Sequence, residues 1–225
     1  MSVRAPPSPT TAPTLAVTFW QRFMKDAHVL VAEGFSRLAP STLTRDDEER
    51  ISERIEEGVY QWYEASGRPE WARRYAVVTE VREPGGSRTG KRRKRIDIRI
   101  ESNEGVGRPP RFLFEAKRFY HRSDCVAEYV GTDGLGGFLA GDYARDALHA
   151  GMLGYVQKGT NLASIQKVEA KLSNERSTHG LAAQGPVWST QCLDARLGDT
   201  YVSQHTRQQS LPSITLYHSF LRCCP

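Results

Sequence analysis

Two short segments carry charge where apolar strand residues are expected: Arg95-Ile96-Asp97-Ile98-Arg99-Ile100 and Phe112-Leu113-Phe114-Glu115-Ala116-Lys117. Their apolar residues alternate or run together as in a half-buried or buried β-strand. An acid at such a position needs compensation, because an unpartnered charge is costly to bury. A bound divalent cation taking Asp97 and Glu115 as ligands would supply it. Glu115 and Lys117 are two apart, so they share one strand face, and an antiparallel neighbour in register would bring Asp97 to them. Lys117 would then stand ready to hold an anionic substrate or a reacting water.

The chain contains a control for this pattern. Glu169-Ala170-Lys171 is the same tripeptide, but it lies among Ile165, Val168 and Leu172, spaced by three and four as on a helix. The first copy instead ends an apolar run and follows an Asp-bearing strand. A loop containing Asn103, Gly105, Gly107, Pro109 and Pro110 separates the two strands.

Apolar residues at Phe19, Phe23, Val29, Val31 and Phe35 predict a helix over 15–38. A second helix starts after Ser41-Thr42-Leu43-Thr44, with acids in its first turn and one face marked by Ile51, Ile55, Val59 and Trp62. Residues 75–81 form a β-rich run closed by Pro84-Gly85-Gly86, which gives three consecutive antiparallel strands with the two segments above. Helix over 137–149, strand over 150–157 and helix over 161–175 follow. Val187-Trp188 and 214–218 read as late strands.

The expected fold class is therefore α/β (α+β), a central mixed sheet of about four to five strands flanked by helices with an αβββαβ core. One domain with tails fits the length. Residues 1–14 read as a disordered lead, 15–42 as a helical extension, 43–176 as the core and 177–225 as a C-terminal extension.

The arrangement of Asp97, 17 intervening residues and Glu115-x-Lys117, set in this element order, resembles the PD-(D/E)xK nuclease superfamily over roughly 43–175. Ile96 stands where the family name has proline. The resemblance implies a Mg²⁺- or Mn²⁺-dependent nuclease acting on nucleic acid, with DNA as the expected substrate and endonucleolytic cleavage as the expected reaction. Defence against foreign DNA is the setting it implies. It also implies Asp97 and Glu115 as metal ligands, the Ala116 carbonyl as a further ligand, and Lys117 as the residue that orients water or stabilises charge on phosphate.

Many members of the superfamily add a glutamate from the first core helix. Glu57 is the first choice here, because Gly58 beside it leaves room for a strand to approach, and Glu53 is the second; Glu49 and Glu56 rank below. A nuclease of this kind could work as a homodimer or under a regulatory protein partner.

The net charge of +5 is concentrated. Arg88, Lys91, Arg92, Arg93, Lys94 and Arg95 place six cations in eight residues, leaving 25 basic against 26 acidic residues elsewhere. This turn leads into the Asp97 strand and could hold phosphates, or equally be a solvated loop or localisation signal. A non-catalytic nucleic-acid-binding module using it is the opposing reading. Gln157, Lys158, Tyr143 and Arg145 could also touch nucleic acid. Asp133-Gly134-Leu135-Gly136-Gly137 lacks the full fingerprint of a phosphate loop and reads as a loop leading into a helix.

Cys125, Cys192, Cys223 and Cys224 show no CxxC spacing and the six histidines form no HxxxH pair, which argues against zinc. No apolar stretch approaches the roughly 18 residues that span a bilayer, and no signal peptide is evident, so a cytoplasmic protein without membrane contact is expected.

Overall fold

The computed structural model describes residues 11–65, 68–82, 94–104, 109–120, 124–208 and 210–225, with side chains from residue 17 onward. Arg88, Lys91, Arg92 and Arg93 of the basic turn lie outside the described residues. Helices α1 (Thr11–Ser36) and α2 (Glu48–Glu64) precede strands β1 (Tyr75–Arg82), β2 (Arg95–Ser102) and β3 (Arg111–Phe119). Two short helices, α3 (Cys125–Val130) and α4 (Leu135–Ala140), then lead to β4 (His149–Val156) and α5 (Asn161–Asn174). Strands β5 (Ser189–Gln191), β6 (Thr200–His205) and β7 (Ile214–Arg222) complete the chain.

All seven strands join one mixed sheet in the order β1-β2-β3-β4-β7-β6-β5. The class matches the expectation, with more strands than the four to five foreseen. The first three strands are antiparallel, whereas β3–β4 and β4–β7 are parallel. The 177–225 segment therefore extends the sheet beyond the expected core, with β7 lying directly against β4. That pairing joins distant parts of the chain, which local patterning does not reveal.

The alternating strands bury a face on each side. On one, Val77, Ile98, Ile100, Phe112, Phe114 and Tyr155 pack against Phe23, Leu30, Ile51, Ile55 and Val59 of α1 and α2. On the other, Leu113, Met152, Val156, Leu216 and Phe220 meet Tyr129, Phe138, Ile165, Val168 and Leu172 of α3, α4 and α5. The helix foreseen over 137–149 ends at Ala140, because Gly141 turns the chain at φ 74°. Tyr143 and Arg145 consequently lie on the connection into β4. Among the described residues, no helix is long and apolar enough to cross a membrane.

Candidate active site

The β2–β3 ladder pairs Glu101 with Arg111 through Ile98 with Phe114 and stops there, one residue short of Asp97 and Glu115. β3 continues in register with β4 as far as Phe119. The sheet therefore opens into a fork on the β2 side of β3, where the main-chain N–H groups of residues 116 and 118 have lost strand partners. Two carboxylates replace the missing strand. Asp97 Oδ2 accepts the Ala116 N–H at 2.6 Å, and Glu48 Oε1 accepts the Arg118 N–H at 3.0 Å. Such satisfaction is expected of buried main-chain donors.

Asp97 is also skipped in the β1–β2 ladder. Thr79 pairs with Ile98 and Val81 with Ile96, while Glu80, between them, adopts φ 53°. That conformation is sparsely populated by residues other than glycine. Glu80 turns to Arg95, whose guanidinium lies 3.2 Å from its carboxylate.

Lys117 gathers the remaining acids. Its ammonium donates to Glu115 Oε1 at 2.9 Å, to the Ala116 carbonyl at 2.8 Å and to Glu48 Oε2 at 3.4 Å. Glu115 and Lys117 are buried, at 3% and 8% exposure, and Glu115 Oε2 has no hydrogen-bond partner. Burial pushes the Glu115 carboxyl well above the ordinary range, with Asp97 adding to the rise and Lys117 opposing it. Asp97 keeps some open surface yet is crowded by protein, and that crowding lifts it to about 7 against the pull of Lys117 and the Ala116 N–H. Burial disfavours the Lys117 ammonium, but Glu115, Asp97 and Glu48 together outweigh it and hold its pKa above the ordinary lysine value.

The helix acids differ from expectation. Glu53 and Glu57 lie on an exposed face of α2 and pair with Arg50 at 3.0 and 3.3 Å. Gly58 makes room for a helix rather than a strand: a Cβ there would strike the Gly34 backbone of α1. Glu56 accepts from Thr79 on β1. The helix acid at the fork is Glu48, in the first turn. Its position in the sequence suggests only an acid complementing the helix dipole; its proximity to β3 was not legible there.

Lys94, foreseen as a phosphate contact, has a side chain only 7% exposed. It meets Asp133 at 3.1 Å, Asp142 at 3.2 Å and the Thr132 carbonyl, and lies over the Tyr143 ring. The described end of the basic turn is thus tied down by acids. Gln157 faces the loop before α2, not solvent. Tyr143 is buried; burial first, then the charges of Glu115 and Asp97, raise its phenol pKa, which puts it within electrostatic reach of the fork.

Among the described residues, no three His, Cys, Asp or Glu side chains form a ready-made metal site. At the fork the Lys117 ammonium lies between Glu48 and Glu115. The donor set nevertheless fits a hard cation: carboxylates of Asp97, Glu115 and Glu48, the Ala116 carbonyl, and one buried carboxylate oxygen without a partner. No family model matches this chain, and neither does any curated protein or solved structure.

Proposed function

We propose that the protein is a divalent-metal-dependent nuclease of the PD-(D/E)xK type, hydrolysing phosphodiester bonds in DNA. The observation that carries this reading is the fork: acids replace a strand, three carboxyl groups gather around one ammonium, and a buried oxygen of Glu115 has no partner. The antiparallel β1–β3 unit followed by a parallel β4 also accords with it.

In this mechanism Asp97 and Glu115 would hold Mg²⁺ or Mn²⁺ with the Ala116 carbonyl, and Glu48 is the helix-borne acid beside them. When bound, the ion would polarise the scissile phosphate and acidify a water. Asp97 is fixed by the Ala116 N–H, so its carboxylate needs no reorganisation. Lys117 now serves as the cation among these acids; once their charge is otherwise met, its ammonium can orient the attacking water or stabilise charge developing on phosphate.

The test is cleavage of supercoiled plasmid in Mg²⁺, Mn²⁺ or EDTA, with Lys117→Ala prepared in parallel. Metal-dependent nicking or linearisation that disappears in the variant is the expected result. Retention of plasmid that weakens with salt but ignores EDTA and Asp97→Ala, without cleavage, would replace this reading with a nucleic-acid-binding module.

A further inference from the structure

One buried carboxamide ties the loop before Glu48 to the end of the sheet. Gln157 follows β4 and is 7% exposed. Its main-chain N–H donates to the Phe119 carbonyl at 2.9 Å, which fixes the residue to the end of β3. Its Nε2 donates to the carbonyls of Leu43 at 2.6 Å and Asp46 at 2.7 Å. Both amide hydrogens are thus committed to the loop that leads into α2. Arg118 adds a weaker bond to the Asp46 carbonyl at 3.2 Å. The loop's main-chain bonds are otherwise local, Leu43 N–H to Pro40 at 3.1 Å, Asp46 N–H to Leu43 at 3.3 Å and the Asp47 cap on Arg50 at 2.9 Å, while the Leu43 side chain is buried in the core and Arg54 pairs with Asp46 at 3.1 Å and donates to Thr42 at 2.9 Å.

We propose that Gln157 is a positioning residue of the fork. By clamping residues 43–46 to the sheet it sets the start of α2, and so places Glu48 against the Arg118 N–H and the Lys117 ammonium. The inference rests on the reading above only in giving Glu48 a role in metal binding; the clamp itself is a property of the metal-free protein. Its chemistry is specific. Two carbonyls converge on this side chain, so the position requires two adjacent donors, which a carboxamide supplies and neither a thioether nor a carboxylate can.

Gln157→Met preserves size and removes both donors. Gln157→Ala leaves space that water can enter, and serves if the Met variant fails to fold. The metal-free readout is hydrogen exchange at the Arg118 amide in EDTA, with the Val156 amide as a reference inside the sheet. Loss of Arg118 protection by tenfold or more, with Val156 unchanged, is expected; wild-type protection at Arg118 in both variants would overturn the clamp.

The second readout is Mn²⁺ binding, followed by the EPR signal of the free ion. Gln157→Met should weaken it about tenfold in the wild-type background and leave it unchanged in a Glu48→Gln background. Equal weakening in both backgrounds would show that Gln157 does not act through Glu48. Failure of the wild-type protein to bind Mn²⁺ would remove the metal reading, while the Arg118 amide would still decide whether Gln157 positions Glu48.

Discussion

Around Lys117, acids from α2, β2 and β3 crowd one ammonium, and a buried oxygen of Glu115 is left without a partner. A second buried polar cluster, between α3 and β6–β7, shows no such deficit among the described residues. There His205 Nδ1 faces the His179 carbonyl at 2.7 Å and must carry the hydrogen. Its Nε2 therefore accepts from Ser203 Oγ at 2.6 Å. Ser203 in turn accepts from His218 Nε2 at 2.7 Å, and His218 Nδ1 accepts from Tyr129 at 2.9 Å. Each donor meets one acceptor, both rings are neutral, and the chain runs in one direction from Tyr129 to His179. Burial lowers His205 to about 4 and His218 to about 3, with His205 adding to the latter shift.

A satisfied buried network fixes a structure. A cluster of like charges opposes it unless a proton or a bound cation meets the surplus. The contrast is therefore an argument for function at the first cluster and for architecture at the second. It can be broken by experiment.

The largest effect should be on cleavage. Lys117→Ala is expected to lower the plasmid-cleavage rate by roughly 10²–10³-fold or more, the scale on which a preorganised group stabilising developing charge acts. Ser203→Ala is expected to leave the rate per folded molecule unchanged; a comparable loss there would erase the distinction between the clusters.

Stability should then move in opposite directions. Asp97→Asn keeps the acceptor for the Ala116 N–H and removes a charge, so denaturant melts in EDTA above pH 7 should show a gain of about 2–4 kcal/mol. Ser203→Ala strands the Nε2 atoms of His205 and His218 and should cost about 2–4 kcal/mol.

The pH profiles should also oppose each other. Asp97 has a folded pKa near 7 against an ordinary 3.8, so its carboxyl favours folding below pH 4 and loses that contribution as pH rises through 7. The advantage of Asp97→Asn should accordingly vanish below about pH 4 and reach its plateau above about pH 7. His205, His218 and His28, the last lowered to about 4 by burial, work the other way: the unfolded chain takes up protons first as pH falls below 6.5. Their contribution is complete above 6.5 and drains away toward pH 4, by on the order of 3 kcal/mol for each ring. Urea titrations of wild type and Asp97→Asn from pH 4 to 8 separate the two trends.

The smallest effect should come from Glu57→Gln. Its exposed pair with Arg50 predicts a melting curve that overlays the wild type and unchanged cleavage, whereas Glu48→Gln should impair Mn²⁺ binding. Equal impairment by both would return Glu57 to the site.

The sequence made α1, α2, α5 and the first four strands readable because each carries its own apolar period. It also singled out Asp97, Glu115 and Lys117, since charge inside such a period is conspicuous. Glu48 was hidden because an acid in a first helical turn already has a sufficient local explanation. Gly58 was misread for a related reason: room beside a glycine is visible in sequence, but the element that fills it is not. The histidine chain draws on positions 129, 179, 203, 205 and 218, and no local pattern connects them.

Gly34 of α1 meets Gly58 of α2. A Cβ on either would collide with backbone of the opposite helix, so α1 and α2 lie main chain against main chain. α2 is thus held by sheet donors near its start, by Ile51, Ile55 and Val59 in the core, and by bare helix contact at Gly58. Glu48 rides on the first turn of this same helix. Adding one methyl group at Gly34 would press on the α2 backbone at Ile55, so a substitution without a single polar atom could shift the helix that carries Glu48.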